Sequence, residues 1–305
     1  MAGILIAMAD GTPQEQQRAA HALCPICGMK SEYFASIKDA HRLFHSRVFP
    51  YWYCGNCCSF FQHPQVEEHE LAYVYDAYYR RIVECTSSAR KEMPTTTSHS
   101  STVVQMKGKR ILDVGCGDGS FFVNSGYEEL YGIEPTKVVA ERAKQKGIRV
   151  HEGDFESASY PDEFFDTITF IHVLEHLRDP HYVLEKIKEW LKPHGSIVIQ
   201  TPNADSNINR LFRQHSQLFA APAHFYQFSF KSLDVLARPH GLKVVGKRRI
   251  GLPESWALSY NIKTFGVQDN TCIRTGLVLL IARLLEHLSS LNNRQGAIEV
   301  RLAKL

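Results

Sequence analysis

The chain has 305 residues, of which 44% are hydrophobic and 22% are charged, and its formal net charge at neutral pH is +3. This composition is typical of a soluble globular protein, and the length predicts one large domain with a small one beside it. The charge is too small to indicate nucleic-acid binding, and no apolar run reaches the length of about 18 residues that a membrane span needs.

Residues 1–22 show no periodicity, and we interpret them as an N-terminal tail. Their apolar start lacks the preceding positive charge and the length of a secretory signal, which predicts a cytoplasmic protein. Eight cysteines in such a chain predict reduced thiols, some of them bound to metal.

Residues 23–63 contain two C-x-x-C pairs, Cys24 with Cys27 and Cys54 with Cys57, and 26 residues separate the pairs. Each pair can direct two thiolates at one metal ion, so the two pairs supply the four sulfurs of a closed tetrahedral Zn²⁺ site. We therefore predict a small zinc ribbon whose structural metal compensates for a small core. Two alternatives stay open: Cys58 could replace Cys57, and the metal could be iron or the thiols a redox pair.

Residues 64–104 differ from the ribbon in composition. A glutamate-rich stretch is followed by Tyr73, Tyr75, Tyr78 and Tyr79, and a segment rich in serine and threonine covers 95–102. This pattern predicts a helical connector that ends in a hinge or loop. The large domain then occupies residues 105–305.

The large domain is predicted to begin with a strand at residues 111–114 that leads directly into Gly115, Gly117 and Gly119. Glycines at alternate positions let the backbone turn sharply and approach a ligand closely. The spacing G-x-G-x-G differs from the G-x-G-x-x-G of dinucleotide-binding domains, and the sequence has no G-x-x-x-x-G-K-[ST] phosphate loop. The loop therefore predicts a seat for a nucleotide-like ligand without a pyrophosphate.

The segment LDVGCGDGSF at residues 112–121 resembles the first motif of the class I S-adenosylmethionine (SAM) methyltransferases. The resemblance implies a Rossmann-like α/β domain with a seven-stranded, doubly wound sheet, and SAM as its cofactor. It also implies cofactor contacts from the loop residues Asp113, Gly115, Cys116, Gly117 and Gly119. Regular alternation of strands and helices after the loop predicts that the sheet is parallel.

The next two strand ends predict further cofactor contacts. Glu134 closes the second strand nineteen residues beyond Gly115, where its carboxylate can accept hydrogen bonds from both ribose hydroxyls, and Pro135 follows it. The third strand leads into Asp154 and Phe155. In the family that the chain resembles, an acid at the Asp154 position faces the adenine amino group and the next residue covers the ring.

The fourth strand, at residues 164–171, delivers His172, Glu175 and His176 to the edge where ligands bind in open α/β sheets. One helical turn would place these three side chains on one face. His176 or His172 could act as a general base on the acceptor, and His172 is also a predicted SAM contact.

Two other interpretations of this turn stay open. Resemblance to quinone-pathway methyltransferases implies that Glu175 and His176 could hold a divalent ion that orients a catechol-like acceptor. His176 could instead be a packed residue below the methionine part of SAM. The inverted zinc-protease motif H-x-x-E-H also matches, but its position after a methyltransferase-like strand disfavours it.

His224 is the third candidate base. It lies in the segment AHFYQFS at residues 223–229, after a predicted fifth strand at 196–200. The resemblance implies that this loop folds over the substrate. The structural alternative is a hydrogen-bonded loop histidine.

Taken together, the C-x-x-C pairs, the tyrosine-rich connector, LDVGCGDGSF, HVLEHLRDP, LKPHGSIVIQTPN and AHFYQFS resemble bacterial zinc-ribbon class I methyltransferases, which are often associated with glycan or secondary-metabolite assembly. The resemblance implies methyl transfer from SAM to a small-molecule or sugar acceptor. One alternative is an RNA methyltransferase that uses the ribbon to recognise RNA. The other is a regulator that binds SAM without catalysis.

Residues 256–293 form an insertion before the last predicted strand, at 297–303. A run of leucines from Leu277 to Leu288 predicts a helix in this insertion. Its ten to twelve apolar residues are too few to cross a bilayer, so we predict that the helix packs on the sheet or forms the face of a homodimer.

Overall fold

The computed structural model describes residues 21–39, 47–71, 73–74, 108–120, 128–265 and 276–305. These residues form one large and one small β-sheet, with helices against the large sheet. The strands are β1 (Ala22–Leu23), β2 (Lys30–Lys38), β3 (Val48–Cys54), β4 (Ser59–Gln62), β5 (Arg110–Val114), β6 (Glu129–Glu134), β7 (Arg149–Glu152), β8 (Phe165–Ile171), β9 (Leu191–Pro202), β10 (Tyr226–Gln227), β11 (Leu242–Ile250) and β12 (Ala297–Lys304). The α-helices that follow the glycine loop are α1 (Lys137–Gln145), α2 (Pro180–Trp190), α3 (Asn207–Phe212), α4 (Phe230–Ala237), α5 (Pro253–Phe265) and α6 (Gly276–Leu291).

The large sheet has seven strands in the order β11-β12-β9-β8-β5-β6-β7, as the predicted fold class requires. The prediction of a parallel sheet is wrong in one strand, because β12 runs antiparallel to both β9 and β11. The reason lies in the insertion: α5 and α6 return the chain to the edge where β11 ends, so that Ala297 pairs with Ile250 and β12 runs back. The sheet is therefore mixed.

The central strands of the large sheet are apolar because helices cover both of their faces. In β5, Ile111, Leu112 and Val114 are all buried. Helix α2 begins after Asp179, whose carboxylate accepts hydrogen bonds from the backbone N–H groups of His181 and Tyr182, as expected of an N-cap. It buries Val183, Leu184 and Ile187 against the sheet.

Two predicted boundaries shift at the end of α2. The sequence pattern predicts a helix to Lys192 and a strand from Ser196, whereas the helix ends at Trp190 and β9 begins at Leu191. Leu191 pairs with Phe165 of β8, and both side chains are fully buried. Burial of these two residues extends the strand towards the helix, which local propensity does not reveal.

The small sheet has the order β1-β2-β3-β4-β10. Its first four strands come from residues 21–39 and 47–63, which we call the cysteine module. The fifth strand, β10, comes from the large domain, and it pairs antiparallel with β4 through Tyr226 opposite Phe61. The module therefore shares a sheet with the domain that follows it.

Parts of the predicted connector and tail lie outside the described residues. Residues 68–71 are helical, but the tyrosines beyond Tyr73 and the serine- and threonine-rich segment at 95–102 are not described. The same holds for the tail at residues 1–20. Predictions for these segments stay predictions.

The insertion consists of α5 and α6, which pack against each other. Trp256 of α5 donates a hydrogen bond from its ring nitrogen to Glu286 of α6 at 2.6 Å, and Ala282 belongs to the same buried cluster. The opposite face of α6 exposes Leu280, Ile281, Leu284, Leu288 and Leu291. The dimer face stays a prediction. No helix in the described part of the chain has the length and hydropathy needed to cross a membrane.

Candidate functional site

The glycine loop follows β5 at the carboxyl edge of the large sheet, the edge at which its parallel strands end. Gly115, Gly117 and Gly119 all have positive φ, at +70°, +54° and +73°. A Cβ atom on Gly115 would lie 2.5 Å from Cγ2 of Val173, so the loop and the turn after β8 are in close contact there. A Cβ on Gly117 would meet nothing within 4 Å. The loop thus has an open side at Gly117 that a ligand can approach.

Glu134 holds the loop from the neighbouring strand. Its buried carboxylate accepts hydrogen bonds from the backbone N–H of Gly117 at 3.1 Å and of Thr136 at 2.8 Å. Burial raises the pKa of this carboxyl group. Each oxygen can still accept a further hydrogen bond, so the carboxylate can bind a ligand hydroxyl while it holds the loop. Pro135 is exposed beside it.

Asp113 and Cys116 lie beneath and within the loop. Asp113 is buried and accepts a hydrogen bond from the hydroxyl of Thr169 at 2.7 Å, and burial raises its pKa to about 8. The thiol of Cys116 is buried in a small cluster with Ala143 and Ile148. The contacts of Asp113 and Cys116 support the loop from below. That these two residues contact SAM stays a prediction.

The predicted adenine contacts occupy different environments. Asp154 is exposed, and its carboxylate accepts a hydrogen bond from the backbone N–H of Ser157 at 2.9 Å, which lowers the pKa of the carboxyl group. Phe155 is buried in the core, with its ring centroid 5.6 Å from that of Trp190. The roles of both residues towards adenine stay predictions.

The turn after β8 differs from the predicted helical turn. Leu174–His176 form a 3₁₀ turn, and His172 precedes it with φ of +56°, in the left-handed region. His172 therefore lies outside the helical turn, which begins only at Leu174. Its Nδ1 lies 3.4 Å from Oε1 of Glu175.

His176 and His224 meet across this turn. Their ring centroids are 4.6 Å apart and the rings are nearly perpendicular, at 84°. The Nδ1 of His176 lies 3.0 Å from the carbonyl oxygen of Ala223, and the Nδ1 of His224 lies 2.7 Å from that of Leu218. A carbonyl can only accept, so both Nδ1 atoms carry the proton and both Nε2 atoms are lone-pair donors.

Burial lowers the pKa of both imidazoles, that of His176 to about 4 and that of His224 to about 3. Both rings are therefore neutral at physiological pH. Each can take a proton from an acceptor or donate a lone pair to a metal ion.

Glu175 completes this cluster. The residue is fully buried, and neither carboxylate oxygen has a hydrogen-bond partner among the described residues. One ligand atom from each of Glu175, His176 and His224 lies within 4.8 Å of the others. A buried carboxylate without a donor is energetically costly, so the cluster favours a cation or a ligand with an O–H or N–H group.

The four predicted metal ligands of the cysteine module are brought together. Sγ atoms of Cys24 and Cys57 are 3.6 Å apart, those of Cys27 and Cys54 are 3.5 Å apart, and all four lie within 4.8 Å of one another. A Zn–S distance of about 2.3 Å in a tetrahedron places sulfurs about 3.8 Å apart, so the cluster fits Zn²⁺. Cys58 is not in the cluster, and its thiol contacts the carbonyl of Gly55 at 3.8 Å.

Sequence reasoning does not find two residues of the site. Thr169 lies in the largely apolar strand β8. Its hydroxyl contacts Asp113 only because β5 and β8 are paired. Tyr51 belongs to the aromatic run between the cysteine pairs, and its hydroxyl reaches the carbonyl of His224. No local pattern distinguishes either residue from a core residue.

The mixed seven-stranded sheet and the glycine loop at its carboxyl edge define a class I SAM-dependent methyltransferase domain. The family model described as "Methyltransferase domain" matches residues 88–247, just over half of the chain. The chain therefore belongs to this methyltransferase family.

Curated relatives include the ubiquinone biosynthesis O-methyltransferases of Salmonella paratyphi A, 33% identical over 105 residues, and Erwinia tasmaniensis, 30% identical over 108 residues. These matches cover 32% of this chain and 43% and 44% of the respective relatives, so the chain spans less than half the length of either.

Several solved structures are similar over most of this chain. One of them is the 1,6-didemethyltoxoflavin-N1-methyltransferase of Burkholderia thailandensis, solved with 1,6-didemethyltoxoflavin and S-adenosylhomocysteine. It aligns with a TM-score of 0.50 and 13% identity over 84% of this chain and 95% of its own. At this identity the likeness shows the fold alone.

Proposed function

We propose that the protein transfers the methyl group of SAM to a hydroxyl group of a small-molecule or sugar acceptor, with a histidine as general base. The observation that carries the proposal is the cluster of Glu175, His176 and His224 beside the glycine loop. The acceptor class also follows the names of the curated relatives, which are O-methyltransferases of ubiquinone biosynthesis. Transfer to nitrogen or carbon is the alternative for the methylated atom.

The loop side fits the donor. SAM carries its methyl group on a sulfonium centre. Transfer of that methyl group releases S-adenosylhomocysteine, whose neutral thioether is a good leaving group. Gly117 leaves open space at the loop, and Glu134 sits beside it with oxygens that can accept further hydrogen bonds from hydroxyls. We propose that Glu134 holds the ribose and that Asp154 and Phe155 hold the adenine.

The cluster of Glu175, His176 and His224 is suited to the methyl acceptor. A methyltransferase has to hold donor and acceptor in line and to remove one proton. Neutral Nε2 atoms of His176 and His224 can accept that proton, and the buried carboxylate of Glu175 can stabilise the imidazolium that forms. Val173 packs against Gly115, so this turn and the glycine loop lie next to each other.

A divalent ion at the same cluster is the second candidate, and the carboxylate of Glu175 without a hydrogen-bond partner favours it. Glu175, His176 and His224 would supply one oxygen and two nitrogens, a donor set that suits zinc and other transition metals. Their Nδ1 contacts to carbonyl groups orient the rings as metal-bound histidines usually are. Such an ion would bind and orient an acceptor with adjacent oxygens.

We further propose that Cys24, Cys27, Cys54 and Cys57 hold one structural Zn²⁺. Its contribution is to folding, because four sulfurs leave no open position for a substrate. The aromatic run of the cysteine module would then be a packed core.

Titration calorimetry with SAM and S-adenosylhomocysteine, followed by methyl-transfer assays on panels of phenols, catechols and nucleotide sugars, tests the proposal. We expect binding of both nucleosides and turnover that His176→Ala lowers strongly. Binding without turnover on any panel, with no effect of His176→Ala, would support the SAM-binding regulator. Salt-dependent RNA binding with methylation of RNA would support the RNA methyltransferase.

Assays with and without a chelator distinguish a histidine that acts as general base from a cluster that binds a divalent ion. If a divalent ion orients the acceptor, the chelator abolishes turnover and one added metal restores it. If the histidine acts alone, turnover is unchanged while the zinc of the cysteine module stays bound. Metal analysis of Glu175→Gln next to the parent protein counts the ion at the cluster.

A further inference from the structure

The loop that carries His224 is held between two parts of the molecule. On one side, the backbone N–H of Phe225 donates to the carbonyl of Glu175 at 2.8 Å. On the other side, the backbone N–H of Gln62 in the cysteine module donates to the carbonyl of Phe225 at 2.8 Å, and β10 joins the module's sheet. The loop that carries the candidate base is thus hydrogen-bonded both to the cysteine module and to its own domain.

Side-chain packing also joins the loop that carries His224 to the cysteine module. Phe219, at the start of this loop, is fully buried among three aromatic residues of the cysteine module. Its ring stacks on Phe34 with centroids 5.5 Å apart, and it makes edge contacts with Tyr51 at 5.1 Å and Phe60 at 5.4 Å. Aromatic contacts of this geometry stabilise a fixed arrangement of the two partners.

Tyr51 makes a direct contact to the base-bearing residue. Its hydroxyl donates to the carbonyl oxygen of His224 at 2.5 Å, and it lies 3.5 Å from the carbonyl oxygen of Phe219. The side chain is fully buried, and burial raises the pKa of the phenol, which keeps it a proton donor at any physiological pH. A buried donor of this kind fixes the backbone from which the His224 ring projects.

We propose that Tyr51 is a positioning residue that holds His224 in the acceptor site, so that the cysteine module contributes to catalysis through this hydroxyl. The inference rests on the proposed function and specifies how the module serves it. Without the hydroxyl, the carbonyl of His224 loses its buried donor and the loop from Leu218 to His224 can shift. A shift of about 1 Å in a catalytic group can lower turnover by up to about a hundredfold.

The first test does not depend on an acceptor. Nuclear magnetic resonance of imidazole-labelled protein records the ring signals of His224 at one pH near neutrality, with His224→Gln to assign them. In the parent protein these signals report the position of the ring, whose centroid lies 4.6 Å from that of the His176 ring. In Tyr51→Phe we expect the signals to shift, because a displaced His224 ring changes its geometry relative to the His176 ring.

Tyr33→Phe is the matched control. The Tyr33 hydroxyl bonds to Ser36 at 2.8 Å within the cysteine module, so its loss removes an equivalent group without contact to the large domain. We expect the His224 ring signals of this variant to match those of the parent protein. Melting temperatures of both variants separate displacement of the loop from general destabilisation.

The second test is a double-mutant cycle on kcat with an acceptor found by the assays above. Tyr51→Phe should lower kcat about tenfold or more and leave the Kd for SAM within about twofold of the parent value. In the His224→Ala background the same substitution should change kcat by less than about twofold, because Tyr51 acts through His224.

Unchanged His224 ring signals in Tyr51→Phe overturn the inference, and so does a Tyr51 effect that persists undiminished in the His224→Ala background. Failure of the proposed function has a different signature. The parent protein would then bind no SAM or methylate no acceptor, while the ring signals would still report on the link between Tyr51 and His224.

Discussion

The donor and acceptor sides of the candidate site are built in contrasting ways. The donor side uses the ends of three successive strands, β5, β6 and β7, so its residues fall between Asp113 and Phe155. The acceptor side combines the turn at Glu175, the loop at His224 and the strand at Tyr51, which are far apart in the chain. The first side can be inferred from local motifs, whereas the second exists only when distant segments meet.

The contrast also has an electrostatic part. The carboxylate of Glu134 accepts hydrogen bonds from two backbone N–H groups, whereas that of Glu175 has no hydrogen-bond partner among the described residues. A carboxylate that accepts hydrogen bonds from a loop holds the loop in place, and a buried one that accepts none favours binding of a ligand. The acceptor side should therefore respond more strongly to substitution and to pH.

The largest effect should come from the zinc ion that we propose for the cysteine module. Cys57→Ser should lose the bound zinc and unfold the module, because a structural zinc site contributes on the order of 10 kcal/mol. Metal analysis and thermal unfolding measure both effects, with Cys58→Ser as the control that keeps one zinc per chain. We expect turnover to vanish while SAM still binds. Equal loss of SAM binding would contradict a separation of the two sides.

The second-largest effect should come from substitution of His176 in the cluster of Glu175, His176 and His224. His176→Ala should lower kcat by about 10²- to 10⁴-fold, the usual contribution of a general base, and leave the Kd for SAM nearly unchanged. His194→Ala, an exposed histidine before Ser196 at the other end of β9, is the control. Parallel losses of SAM affinity and turnover would instead assign His176 to support of the cofactor.

Substitution of Glu134 should have a smaller effect, and it should weaken SAM binding, which His176→Ala leaves nearly unchanged. Glu134→Ala should weaken SAM binding by about 1.5 to 3 kcal/mol, the scale of charge-assisted hydrogen bonds to a ligand. Calorimetry measures this change, with Glu152→Ala as control, because Glu152 pairs with Glu134 in the sheet but is exposed and bonded to Lys144. If affinity is unaffected, Glu134 has no part in the site.

The smallest effect concerns stability against pH. His176 has an ordinary pKa near 6.5 when unfolded and about 4 when folded, so the unfolded chain binds more protons between these values. The free energy of unfolding should therefore fall as pH drops from 6.5 to 4, by about 1 to 3 kcal/mol for this partly buried ring. Denaturant unfolding of the parent and His176→Gln at both pH values measures the difference. An identical pH slope in the two proteins would contradict it.

Much of the donor side could be predicted because each element has its own signal. The glycine spacing after β5 and the acid after β6 depend on backbone conformation and strand ends, which are local properties. The acceptor side could be predicted only as a choice among His172, His176 and His224. Tertiary structure brings His224 to His176 and keeps His172 beside Glu175, outside the helical turn.

The sequence by itself determined the α/β class, the glycine loop and the two C-x-x-C motifs as candidate metal ligands, because these features follow from residue type and short spacing. Only the tertiary structure decided that β12 runs antiparallel, that Cys57 joins the cluster in place of Cys58, and that β10 completes the sheet of the cysteine module. The physical reason is that strand pairing and burial join distant residues, from Cys24 and Cys57 in one module to Phe61 and Tyr226 in two different parts of the chain. No local preference in a sequence encodes which of several such partners is chosen.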